Sequence, residues 1–196
     1  MTDAADNPSG ITDGRRRRGQ DNRARIVAAL LDIIHAGEFS PSAEVVAARA
    51  DVGLRTVFRH FQDMDSLYRE MGVVIEAELR GVAAQPFKAQ DWRGRVLELI
   101  ERRSAAFERI GPFLRASVVV RYRSSAMETE NNKLATVARA VLKAQLPPEV
   151  ARDQLTFEAL DLLLSFESWS RLRLIQGLTI KRARETLEAA VRALIG

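Results

Sequence analysis

The 196-residue sequence contains no cysteine. That excludes disulfides, thiolate nucleophiles and the common zinc-finger ligand sets, and makes the chain indifferent to a reducing compartment. Histidine is nearly as scarce. Only His35 and His60 occur, and neither has partners at a recognisable catalytic or metal-binding spacing; H-E-x-x-H, G-x-S-x-G and the P-loop are missing. No catalytic group, metal site or cofactor is expected. No apolar run approaches the ~18 residues of a membrane span, and the opening MTDAADNPSGITDG lacks the apolar core of a secretory signal, so a cytoplasmic protein without a membrane partner is expected. Period-two alternation is also lacking. The fold class to expect is all-α.

What is present is a helical chain with unevenly placed charge. Hydrophobic residues make up 46% and charged residues 29%, the balance of a soluble globular protein long enough to bury a sizeable core. Net charge is only +4, so a basic surface must come from local placement. The pI near 9.9 agrees with a nucleic-acid partner without requiring one. Residues 1–20 carry hardly any large apolar side chain, end in Arg15, Arg16, Arg17 and Arg18, and read as a disordered basic arm. Such tails often only aid solubility. Lying just ahead of the first long helix, these arginines are also candidates for backbone or minor-groove contact with DNA.

From Asp21 the pattern turns helical. Ile26, Val27, Leu30, Leu31, Ile33 and Ile34 form a broad apolar face, and Gly37 ends the helix. In SPSAEVVAARA, Ser40 or Ser42 can cap a second helix, Pro41 fits an early position that needs no N–H, and Val45, Val46, Ala48 and Ala50 are placed inward. Asp51, Val52 and Gly53 then make a three-residue connection, the turn length of a helix-turn-helix.

The segment LRTVFRHF, 54–61, follows. At about 100° per residue, Leu54, Val57, Phe58 and Phe61 share one arc, while Arg55, Thr56, Arg59 and His60 take the remainder. A helix this short does not hold its shape alone in water. Its apolar arc must be clamped by neighbours and its basic, hydrogen-bonding arc held outward, where it suits a polyanion. An ordinary solvated face is the plain alternative, and the preceding helix and turn weigh against it. In a major groove Arg55 or Arg59 could form paired hydrogen bonds with guanine, each pair discriminating by about 1–3 kcal/mol. Thr56 and His60 suit phosphate, which fixes register without reading sequence.

These residues resemble the TetR family of bacterial transcriptional regulators. The likeness runs from RARIVAALLDIIHAG through SAEVVAARADVGLRTVFRHFQDMDSLY in one frame, with helix, glycine, short helix, turn, T-x-F-x-x-F and the leucine after an acidic pair all at family spacing. It implies an N-terminal three-helix helix-turn-helix DNA-binding domain, here 21–68, and a larger helical ligand-binding and dimerisation domain, here 69–196. It further implies a homodimer on a palindromic operator, double-stranded DNA and a small-molecule effector as partners, and repression as the commonest role. The DNA-binding set carried over is Ser42, Leu54, Arg55, Thr56, Phe58, Arg59 and His60, with the four-arginine arm. Four positions depart from the family pattern: Asp51 replaces a turn glycine, Gly53 the usual serine cap, Phe58 a tyrosine and Met64 a lysine. Aspartate tolerates left-handed backbone better than most residues. The last two changes each remove a phosphate contact.

Beyond Asp63 helices are expected at about 64–82, 92–110, 112–123, 126–146, 149–176 and 179–195. Gln85-Pro86, Gly111-Pro112, Ser124-Ser125, Pro147-Pro148 and Gly177 mark the breaks. Asp63 and Asp65 look like a carboxylate pair but precede a helix, where they favour its N-terminal dipole. Leu160 and Leu164, within ALDLLLSFESW, and Leu187, Val191 and Leu194 of the last helix present surplus apolar surface expected at a dimer interface. Phe107, Phe113, Tyr122, Phe166 and Trp169 are candidates to line a ligand cavity, against the simpler reading of core packing. Arg121 and Arg123 flank Tyr122 and would pair with an anionic ligand if either faced inward. Two rivals remain: a helical small-molecule enzyme or carrier whose basic segment is incidental, and a DNA-binding protein whose body docks another protein.

Overall fold

The computed structural model describes the backbone of residues 9–121 and 125–196 and the side chains of residues 19–119 and 133–196. Its elements are α1 Ser9–His35, α2 Ala43–Arg49, α3 Leu54–His60, α4 Met64–Ala83, α5 Trp92–Arg121 and α6 Ser125–Lys143. There follow α7 Pro148–Arg152, α8 Gln154–Leu163, α9 Phe166–Ser170, a π-helical turn Arg171–Ile175 and α10 Ile180–Ile195. No strand occurs among the described residues, so the chain is all-α. It divides into two compact units, Met1–Met71 and Gly72–Gly196.

In the first unit α1, α2 and α3 pack on one another around buried Ile26, Leu30, Ile33, Ile34, Val46, Ala50, Val57 and Phe61. Gly37, at φ 101°, lets the chain turn back so that its N–H reaches Ile34 O and the Glu38 N–H reaches Ile33 O, satisfying carbonyls the helix end leaves open. The start of α1 corrects an expectation. Residues 9–20, read as part of a disordered arm, are helical backbone. Extending an existing helix needs no new nucleus, and arginine is a good helix former. The phase of α2 is corrected too. Ser42 is the N-cap, so Pro41 lies ahead of the helix, and the inward stripe is Ala43, Val46, Ala47 and Ala50. Val45 and Ala48, expected inward, are exposed instead.

In the second unit α5 packs on α6, α9 and α10, and α8 packs on α6, α9 and α10. The core joins Val96, Leu99, Ile100, Leu142, Phe157, Leu160, Leu164, Trp169, Leu187 and Val191. Three expectations fail here for identifiable reasons. The break at Gly111-Pro112 is absent: Pro112 sits inside α5, because buried Ile110 and Ala116 on either side of it hold both halves in line despite the missing N–H. The single helix at 149–176 is instead several pieces. Asp153 Oδ1 accepts from the Leu155 and Thr156 N–H groups, and Ser165 Oγ accepts from the Ser168 N–H, so each side chain starts a new helix. Finally, Leu160, Leu164, Leu187 and Val191 are not available to a partner. They form the interior of this unit, and of the five expected interface residues only Leu194 is exposed.

Candidate nucleic-acid interface and body cavity

The turn between α2 and α3 is held from α1. Asp51 adopts φ 50°, the left-handed region, and is the only non-glycine there among the described residues. Arg25 Nη2 donates to Ala50 O at 2.7 Å and to Asp51 O at 3.3 Å, fixing the two carbonyls at the corner. Gly53 follows as the N-cap of α3 with no side-chain hydrogen bond. A seven-residue helix with so weak a start depends on packing.

That packing comes from Val57 and Phe61, both almost wholly buried. They are four residues apart and form a narrower stripe than the four-residue arc expected. Leu54 and Phe58 are exposed, Phe58 at 48%. Beside them Arg55 and Arg59 are also exposed. The presented surface is therefore two cations around an aromatic ring. Thr56 is half-buried. Ser42 is exposed, with its Oγ accepting from the Val45 N–H at 3.5 Å.

The C-terminal end of α3 is tied down by Arg23. Its Nη1 donates to His60 O at 2.9 Å, its Nε and Nη2 grip the Glu70 carboxylate at 3.2 and 2.8 Å, and its guanidinium lies 4.4 Å from the Phe61 ring centroid. One side chain thus joins α1, α3 and α4 within the first unit. Asp63 starts α4 by accepting from the Ser66 N–H at 2.7 Å, and that bond holds its carboxyl below the usual range.

His60 points away from solvent. Its Nε2 is buried without a hydrogen-bond partner among the described residues, and its Cε1 lies within 4.0 Å of where a side chain on Gly19 would begin. Burial pushes the imidazole below the ordinary histidine value, and the Arg59 and Arg23 charges push it further.

The second unit contains a cavity of ≈ 350 Å³. Leu79 and Val82 of α4, Phe107, Ile110 and Leu114 of α5, Leu134 and Val137 of α6 and Phe166 of α9 give it a mostly apolar wall. Phe107 and Phe166 meet edge to face, with centroids 5.5 Å apart. Arg103 and Asp161 are polar members of the same wall.

No family model matches the chain, and no curated protein matches it. Solved structures do. SCO7518 of Streptomyces coelicolor A3(2), described as a transcriptional regulator, is 22% identical over 87% of this chain and 98% of its own, with a TM-score of 0.61. The multidrug binding protein EbrR, complexed with imidazole, is 22% identical over 87% and 89%, with a TM-score of 0.63. A protein of Mesorhizobium loti MAFF303099 described as a TetR-family transcriptional regulator is 16% identical over 91% and 96%, with a TM-score of 0.53. The chain has the TetR-family fold.

Several of the residues expected from sequence find their place in the TetR-family fold, and others do not. Arg55, Arg59, Leu54, Phe58 and Ser42 lie on exposed surface, Thr56 lies partly so, and the His60 ring turns inward to α1. Phe107 and Phe166 line the cavity. Trp169 belongs to the core, donating from Nε1 to Glu108 at 2.9 Å, and Phe113 is not part of the cavity wall. Tyr122 and the side chains of Arg15, Arg16, Arg17, Arg18, Arg121 and Arg123 lie outside the described residues. Sequence reasoning missed Arg23, Arg25 and Glu70, which position the turn and α3. Their partners lie 25 to 47 residues away, and pairing at that distance leaves no local pattern.

Proposed function

We propose that the chain is a sequence-specific DNA-binding transcriptional regulator, ligand-responsive and acting in the cytoplasm as a homodimer on a two-fold operator. The observation that carries this is the face of α3: Arg55, Phe58 and Arg59 stand exposed while Arg23 and Arg25 spend their hydrogen bonds holding the element in position. A short helix clamped from behind with cations in front fits the major groove, where arginine recognises guanine. Arg15 to Arg18 then add phosphate contacts, and Thr56 helps fix register. Phe58 has no hydroxyl to offer a phosphate and suits the thymine methyl.

The cavity is the effector site in this reading. EbrR, a protein of the same fold, is a multidrug binding protein, which supports it. Helix α4 offers the link, since Leu67 and Met71 are buried in the first unit while Leu79 and Val82 line the cavity of the second. An effector coupled by about 1–3 kcal/mol suffices for regulation. For the dimer, exposed Leu155 and Leu162, seven residues apart on α8, replace the buried leucines expected from sequence.

Selection of bound sequences from random duplex DNA by the full chain tests the proposal. The expected result is a two-fold symmetric site with half-sites about one helical turn apart, bound more weakly as salt rises. Arg59→Ala should lose preference at a base pair or weaken binding uniformly, according to whether it reads a base or a phosphate. Absence of any enriched sequence, with no salt-dependent binding, sinks the reading.

A further inference from the structure

Arg103 is the unusual group in the cavity wall. It projects from α5, and its guanidinium donates from Nη1 to Leu164 O at 3.0 Å and from Nη2 to Ala138 O at 2.6 Å. Those carbonyls close the end of α8 and lie along α6. Two of its five N–H groups are used, and both acceptors are neutral.

The other charges of the wall are matched elsewhere. Arg80 pairs with Glu76 at 2.7 Å, Arg102 with Glu98 at 2.5 Å, and Asp161 is held by Arg139 at 2.6 Å. Glu167 is exposed. Among the described wall residues Arg103 is the cation that lacks a carboxylate in bonding contact. Its burial draws its pKa down to about 10, the more distant Asp161 opposing, so it remains charged at neutral pH. A half-buried charge whose bonding contacts are all to carbonyl dipoles is costly, and a bound anion relieves it.

The remaining wall selects the rest of the ligand. Leu79, Phe107, Leu134, Val137 and Phe166 offer apolar surface. A volume of ≈ 350 Å³ lies near the lower end for ligand pockets, and at about 30 Å³ for each water-sized group it has room for about a dozen. We propose that the cavity binds a small apolar carboxylate, an alkyl or aryl acid whose carboxylate sits on Arg103 and whose tail lies between α5, α6 and Phe166. This rests on the reading of the cavity as the effector site and adds the chemical class.

Isothermal titration of the full-length protein near neutral pH with octanoate and 4-phenylbutyrate, and with the alcohol and amine of the same skeletons, tests it. The acids should bind at least about tenfold more tightly than either counterpart. Arg103→Met should abolish that preference. Because Arg103 also ties two carbonyls, the comparison within the wild-type protein stands even if that variant folds poorly, and Arg103→Lys should recover part of the preference. Equal affinity for acid and alcohol overturns the proposal, as does tightest binding by the amines or no binding by any member. Operator selection, run separately, distinguishes the two claims. Normal selection with no acid binding leaves the DNA-binding role standing, whereas acid binding that does not change operator affinity leaves the ligand class standing and removes the effector role.

Discussion

Replacing Arg23 with methionine should loosen the end of α3 while leaving the second unit untouched. The two bonds to Glu70 are partly exposed, at 40% and 35% for the two side chains, so after screening they contribute about 0.5–1 kcal/mol. The bond to His60 O comes from a charged donor and adds about 1.5 kcal/mol, and the stacking on Phe61 adds about 0.5 kcal/mol. Subtracting about 0.5–1 kcal/mol for ordering a long side chain that stays part-exposed, about half the cost of full burial, leaves about 2 kcal/mol. That corresponds to about a thirtyfold change in the opening equilibrium of the local structure. Hydrogen exchange followed by mass spectrometry on the full chain reads this directly. Peptides covering 54–61 should exchange about thirtyfold faster in Arg23→Met, while peptides from α8 and α10 should keep their wild-type rates. Arg23→Lys, which retains charge but not the planar fork, should fall between the two. Protection of α3 within about threefold of wild type would refute the clamp, and with it the account of why so short a helix is ordered.

Asp51→Gly should keep or slightly raise stability, because glycine adopts φ 50° without strain, whereas Asp51→Val should cost about 1–2 kcal/mol; urea midpoints compare them, and equal midpoints would show that the turn relaxes. Acid sensitivity should trace in part to His60, whose lowered pKa means that the folded unit prefers the neutral ring. Its contribution is complete above the unfolded value of about 6.5 and is lost as pH falls from there through the lower folded value. His60→Gln, uncharged at every pH, should therefore shrink the loss of melting temperature between about pH 7.5 and pH 5.5. A pH profile identical to wild type would place the imidazole in water.

Much of the first unit was legible because its signals are local. Gly37, the Ser42 cap and the left-handed tolerance of Asp51 are each written within a few residues, and each appears in the structure, whereas the turn expected at three residues runs over four, Ala50 to Gly53. The apolar arc of α3 was legible only in part. Val57 and Phe61 are buried as expected, but periodicity says which residues share a face and not how wide a face the neighbours cover, so Leu54 and Phe58 could not be separated from them. In the second unit the same limit applied more heavily. Leu160 and Val191 look alike whether they meet their own protomer or another. Pro112 reads as a helix breaker until the packing on both sides of it is known. The breaks before α8 and α9 were in principle readable, since D-x-x-T and S-x-x-S are capping patterns, but they were masked by the continuous apolar run around them. Arg103 gave no sign at all, because its importance comes from carbonyls 35 and 61 residues away.

The division of labour inside α3 bears on how such a protein changes its target over generations. Arg55, Phe58 and Arg59 form no hydrogen bond or ion pair with the described remainder of the chain, while Val57, Phe61 and the backbone hold the helix in place. The residues proposed to address DNA can therefore be rewritten with little penalty to folding, since surface changes away from packing contacts usually shift stability by under about 0.5 kcal/mol. Duplicated copies of the gene could diverge in what they recognise long before they diverge in shape.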